Sequence, residues 1–199
     1  MTLHFPAFPI PKASAIGFSP RRLVHRLLTV AAGSGGLTFE SRALDKPIDP
    51  SFDIEAFVRT LAGKASSGGK RPEPPIDGGE NQTPFDIEVT EQCYVVLELD
   101  LAVNWRFREG SMGVSTKLDC GDSNFGLAFV DESGEVQQDR VPADCRLLWF
   151  SVAERRPPSR QGFNLDMVFQ FASADPAVTR ALPTLFDPDI PSSGGSSFP

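Results

Sequence analysis

From Cys93 to Phe107 the chain alternates. Cys93, Val95, Leu97, Leu99, Leu101, Val103, Trp105 and Phe107 occupy the odd positions, with Glu98, Asp100, Asn104 and Arg106 between them. A period of two places every second side chain on one side of a β-strand. At about 3.3 Å per residue the run is longer than most strands, so it bends or divides into two. Further strands are expected at 112–118, 125–130, 136–141, 146–153 and 163–171, and Phe85, Ile87 and Val89 begin the pattern. Glu109-Gly110, Gly121-Asp122, Glu132-Ser133-Gly134 and Pro157-Pro158 supply turns between them. Short strands at such spacing predict a mainly β fold: an antiparallel β-sandwich, Ig-like or jelly-roll-like.

The N-terminal part reads differently. Over Pro20–Ala32, Leu23, Val24, Leu27, Leu28 and Val30 fall on one half of a helical wheel, with Arg21, Arg22, His25 and Arg26 on the other. A second helix is expected from a cap at Ser51, burying Ile54, Phe57, Val58 and Leu61 and stopping near Gly63. Two short helices therefore precede the sandwich. The expected organisation is an N-terminal segment at 1–62, a flexible Gly/Pro/Ser-rich linker at 63–84, the β-domain at 85–182 and an irregular tail at 183–199. The first 39 residues contain no acidic residue. That pattern leaves an N-terminal targeting segment open beside a cytoplasmic location.

Composition narrows the function. A net charge of -7 disfavours general nucleic-acid binding, which depends on cationic contacts to phosphate. No apolar run reaches the length of a transmembrane segment. The three cysteines, Cys93, Cys145 and Cys120, show no CxxC spacing. Cys93 and Cys145 share parity with apolar strand neighbours and read as buried free thiols.

No catalytic set emerges. The two histidines, His4 and His25, precede the β-domain and read as surface residues. The stretch from Gly63 to Arg71 is one residue too long for a phosphate loop and lacks its Ser/Thr. Glu98 and Asp100 share a strand face, which reads as ordinary solvation of a sheet exterior. Asp119, Asp122 and Asn124 lie in one turn and could offer oxygens to calcium, although the EF-hand spacing is missing. Calcium is thus the one cofactor considered, and these three residues are its ligands. In Arg146–Ala153 both parities are apolar, which predicts a strand covered on both sides, by the N-terminal helices or by a second subunit.

The phrases RLLWFSVAERRPP (146–158), GFNLDMVFQF (162–171) and FDPDIP (186–191) followed by SSGGSSFP resemble the C-terminal part of small bacterial proteins, some of which carry the label nucleotide synthetase. The resemblance covers roughly the last half of the chain and contains no catalytic motif. It implies a β-rich domain. The residues themselves point to a non-enzymatic interaction or structural module, with a protein partner or self-association through a sheet face or edge. The alternative is a calcium- or small-ligand-binding domain that uses acidic loops, and third comes an enzyme that uses carboxylates.

Overall fold

A computed structural model describes residues 7–12, 17–33, 36–66, 91–100, 104–116, 124–153, 161–172, 179–186 and 189–190. In chain order the elements are β1 (Phe8–Pro9), β2 (Arg22–Gly33), β3 (Gly36–Pro47), α1 (Ile54–Ser66), β4 (Cys93–Leu99), β5 (Trp105–Phe107), β6 (Val114–Thr116), β7 (Asn124–Val130), β8 (Val136–Gln137), β9 (Leu147–Val152), β10 (Gln161–Ala172), β11 (Thr179–Phe186) and β12 (Asp189–Ile190). The fold is mainly β. The long alternating run does divide, into β4 and β5.

Two sheets form. Sheet I runs β1-β6-β10-β11, with β5 and β12 also paired to β10. Sheet II runs β3-β2-β4-β9-β7-β8. One apolar core lies between them. Val24, Val95, Leu97, Leu148 and Phe150 enter it from sheet II, and Trp105, Phe107, Phe163, Leu165 and Met167 from sheet I. The opposite face of sheet II is covered by α1. Leu23, Val96, Ala128, Leu147 and Trp149 pack there against Ile54, Val58, Leu61 and Ala62. β9 is therefore apolar at both parities because the second sheet covers one side and the N-terminal helix the other.

Four expectations change. Pro20–Ala32 is not a helix: β2 is a strand, paired antiparallel with β3 and parallel with β4. Sheet II is consequently mixed rather than antiparallel. A strand buried on both faces loses its period-two signature, and the pairs Leu23-Val24 and Leu27-Leu28 then fall at helical spacing by coincidence. A parallel neighbour requires a crossover, and β3 with α1 lies along that connection. One helix is therefore found among the described residues, not two. Within the expected tail, β11 pairs with β10 through Phe186 and carries Pro183 opposite Val168. Proline is tolerated on a strand paired along one side.

α1 starts two residues later than a cap at Ser51 implies, because Asp53 caps it: its side chain accepts from Ala56 N at 3.0 Å. Gly63 does not end the helix, which continues to Ser66. The Arg59 guanidinium donates to the Gly134 carbonyl at 3.0 Å, tying α1 to the turn between β7 and β8. Phe85–Val89 and most of the expected linker lie outside the described residues. No helix among the described residues is long and apolar enough to cross a membrane.

Candidate functional site

Strand register sets what lies on the helix-covered face of sheet II. Lys46, Leu23, Tyr94, Ser151 and Phe125 form one row across β3, β2, β4, β9 and β7. His25, Val96, Trp149 and Ala128 form the next, and Arg42, Leu27, Glu98, Leu147 and Val130 the third. Val96, Trp149 and Ala128 of the second row and Leu147 and Val130 of the third meet α1. The first row carries polar and aromatic groups at the flank of the helix.

Aromatic rings gather around that row. Tyr94 meets Trp149 edge to face at 5.8 Å, Phe18 at 5.7 Å and Phe52 at 6.4 Å. Phe18 in turn lies 4.7 Å from Phe125. On the β3 side, the Lys46 ammonium stands 5.8 Å over Phe52 and 5.7 Å over Phe57. It forms no ion pair with a described carboxylate. Two strand spacings separate Lys46 from Tyr94, about 10 Å. Burial, with the Asp53 carboxylate as a lesser cause, pushes the Tyr94 phenol up from its ordinary value, so it stays a hydroxyl at neutral pH. The Trp149 indole Nε1 is buried and meets no hydrogen-bond acceptor among the described residues. Such a bay can take a flat ring against aromatic faces and an anion at the ammonium.

Deeper on the same face, His25 Nε2 and Glu98 Oε2 lie 2.8 Å apart. Both residues are almost fully buried, at 5% and 3% exposure, and the Phe57 ring packs edge-on over the imidazole at 5.9 Å. Two readings from sequence are corrected here. His25 is not a surface residue, because β2 is a central strand of sheet II. Glu98 is not a solvated carboxylate, because its face is the one α1 covers. Asp100, two residues on, is at the half-buried strand end, where its carbonyl accepts from Trp105 Nε1 at 2.9 Å and Arg146 Nη1 at 3.3 Å. The two acids share a face in sequence and diverge in environment.

Of the three candidate calcium ligands, Asp119 and Asp122 lie outside the described residues. Asn124 opens β7 opposite Val152, at 1% exposure. Among the described residues no group of three His, Cys, Asp or Glu side chains could hold a metal ion. Asp131 is engaged in its own turn, accepting from Ser133 N, Ser133 Oγ and Glu135 N. Arg106 pairs with Asp144, and Arg108 with Asp166. Cys93 and Cys145 are buried free thiols, and burial pushes both up to about 12. Cys120 lies outside the described residues.

Sequence reasoning passed over Lys46, Tyr94 and the His25–Glu98 pair. Tyr94 did leave a signal: it is a large aromatic at an even position in a strand whose core residues are odd.

A protein-family model matches residues 59–195, and its description reads predicted novel nucleotide synthetase. No curated protein matches the chain. The match agrees with the resemblance drawn from the C-terminal phrases and places it on a longer stretch. It overturns the expectation of a non-enzymatic interaction module or calcium-binding domain, because the family is described as one of predicted synthetases. Absence of a recognisable motif had been the basis of that expectation, and a catalytic set assembled across strands leaves no motif.

Proposed function

The chain belongs to the family of predicted novel nucleotide synthetases, and we propose that it is an enzyme that binds a nucleotide in the aromatic bay beside α1. The base lies against Tyr94, and the phosphates reach Lys46. The observation that carries this reading is the row from Lys46 to Phe125, which sets Lys46, without an ion pair to a described carboxylate, two strand spacings or about 10 Å from Tyr94. That span suits the separation of base and phosphate in one nucleotide. Base–aromatic stacking contributes about 1–3 kcal/mol per base, and a charge-assisted contact to phosphate about 1.5–3 kcal/mol.

Tyr94, Phe125, Trp149 and Ser151 lie inside the family-matched stretch, whereas Lys46 and Phe52 precede it. The His25–Glu98 pair is assigned no proton step; it holds β2 to β4 beneath the bay.

The test is calorimetric titration of the full chain with nucleoside mono-, di- and triphosphates in the presence of magnesium, followed by chromatography of the reaction mixture for a new nucleotide product. Binding is expected, with Lys46→Ala and Tyr94→Ala each weakening it about tenfold or more. No binding of any nucleotide at millimolar concentration overturns the reading.

A further inference from the structure

We infer that Trp149 reads the base: its indole N–H meets a keto oxygen, so the bay takes nucleotides of uracil or guanine ahead of those of cytosine or adenine. This rests on the nucleotide reading above and adds the class of base.

The inference starts from a donor with nothing to donate to. Trp149 is 7% exposed, and its Nε1 is shielded from solvent without an acceptor among the described residues. Buried polar groups are nearly always satisfied, and one left unmade costs about 1–3 kcal/mol. The other tryptophan shows the usual arrangement, with Trp105 Nε1 donating to the Asp100 carbonyl at 2.9 Å. Trp149 shares its neighbourhood with the bay. Its ring meets Tyr94 at 5.8 Å, and it stands one row from Ser151 on the same strand face.

The polar groups of the bay are biased toward donation. An indole N–H and an ammonium only donate, while the Tyr94 and Ser151 hydroxyls can do either. The nearby Asp53 carboxylate already accepts from the first turn of α1. At corresponding positions uracil and guanine present a keto oxygen, and cytosine and adenine an amine. An amine set against the indole leaves both partners unsatisfied, whereas a keto oxygen satisfies the buried N–H. Sites built this way discriminate strongly, because the wrong ligand leaves a buried group unpaired. Phe18, carried by the segment before β2 and not by the sheet, packs on Tyr94 and Phe125 beside this group.

The chain has two tryptophans, so a protein labelled with 15N at the indole gives two side-chain signals, with Trp105 as the internal reference. The full chain is titrated in turn with UTP, GTP, CTP and ATP, each with magnesium. UTP and GTP are expected to move the Trp149 indole proton downfield and to bind about three- to tenfold tighter than CTP and ATP. Trp149→Phe keeps a ring and removes the donor, and is expected to erase that preference. Nucleotide binding that leaves the Trp149 signal in place, or that favours CTP and ATP, overturns the inference and leaves the proposed function standing. No binding by any of the four overturns both. The wild-type signal decides the matter even where Trp149→Phe does not fold.

Discussion

His25 and Glu98, 73 residues apart in the chain, meet at 2.8 Å in the layer between sheet II and α1. The contact joins β2, which precedes the family-matched stretch, to β4 within it. A buried polar pair in an apolar layer adds little net stability when intact, but removing one member costs the other a buried partner. His25→Ala and Glu98→Ala are each expected to destabilise by about 3–5 kcal/mol, and the double His25→Leu/Glu98→Leu variant by clearly less than the sum. Urea unfolding of the four proteins checks this. Single variants within about 1 kcal/mol of wild type would show that the pair behaves as an exposed one.

Deletion of the chain before residue 59 keeps all of the family-matched stretch and removes β2 and β3. It bares the β4 edge and the apolar face that Val24 and Leu28 cover. Such an edge pairs with other chains. The truncated protein is expected to aggregate on expression, whereas the full chain does not; light scattering of the two preparations distinguishes them. A monodisperse truncated protein would show that β4 tolerates its edge.

Gly113 has a φ of +63°, and a Cβ there would lie 2.8 Å from Phe129 Cε1 and 2.9 Å from Val141 Cγ2. Gly110, at φ +72°, has nothing within 4 Å. Both replacements by alanine strain the backbone, by about 1–2 kcal/mol. Only Gly113→Ala also overpacks, adding about 1–3 kcal/mol. Thermal unfolding should therefore rank wild type above Gly110→Ala and Gly110→Ala above Gly113→Ala. Equal effects would mean that Phe129 and Val141 give way.

Cys93 and Cys145 are buried thiols pushed up to about 12 by desolvation. The thiolate is the reactive form, so neither is expected to react with iodoacetamide at pH 8 in the folded protein. Both should react once urea unfolds it. Peptide mass spectrometry reads each site separately, and rapid labelling of either in the native state contradicts this burial.

Burial raises the Asp131 carboxyl, but hydrogen bonds from the Ser133 hydroxyl and from the Glu135, Ser133 and Gly134 N–H groups outweigh it, and the net shift is downward. A depressed carboxylate stabilises the fold above its unfolded value of about 4, and that contribution fades as pH falls through the folded value. The stability gap between wild type and Asp131→Ala should be full at pH 7 and shrink below about pH 4. Denaturation at a series of pH values follows it; a gap that widens in acid contradicts the assignment.

Strands such as β4, β5 and β10 were legible because the residues that enter the shared core recur with a period of two, whereas β11 and β12 fell at and within the expected irregular tail. Phe163, Leu165, Met167 and Phe169 of β10 mark that period plainly. α1 was legible too, from Ile54, Val58 and Leu61 at helical spacing. β2 was not. With both faces buried it carries no period of two, and nothing local distinguishes its leucine pairs from a helical stripe. The candidate bay was equally hidden, since Lys46, Tyr94, Ser151 and Phe125 become one row only through the pairing of five strands.

What the sequence determined by itself was local: a β-rich chain, a helix carrying Ile54, Val58 and Leu61, buried thiols, and C-terminal phrases that resemble a predicted synthetase family. Tertiary structure decided the rest. It made residues 22–33 a parallel neighbour of β4, and it turned His25 and Glu98 from expected surface groups into a buried pair. It also set a lysine beside a cluster of rings drawn from five separate stretches of chain. The reason is physical. Periodicity records how many faces of a segment are covered, while the identity of the covering element and the residues opposite are set by long-range pairing that no local pattern encodes.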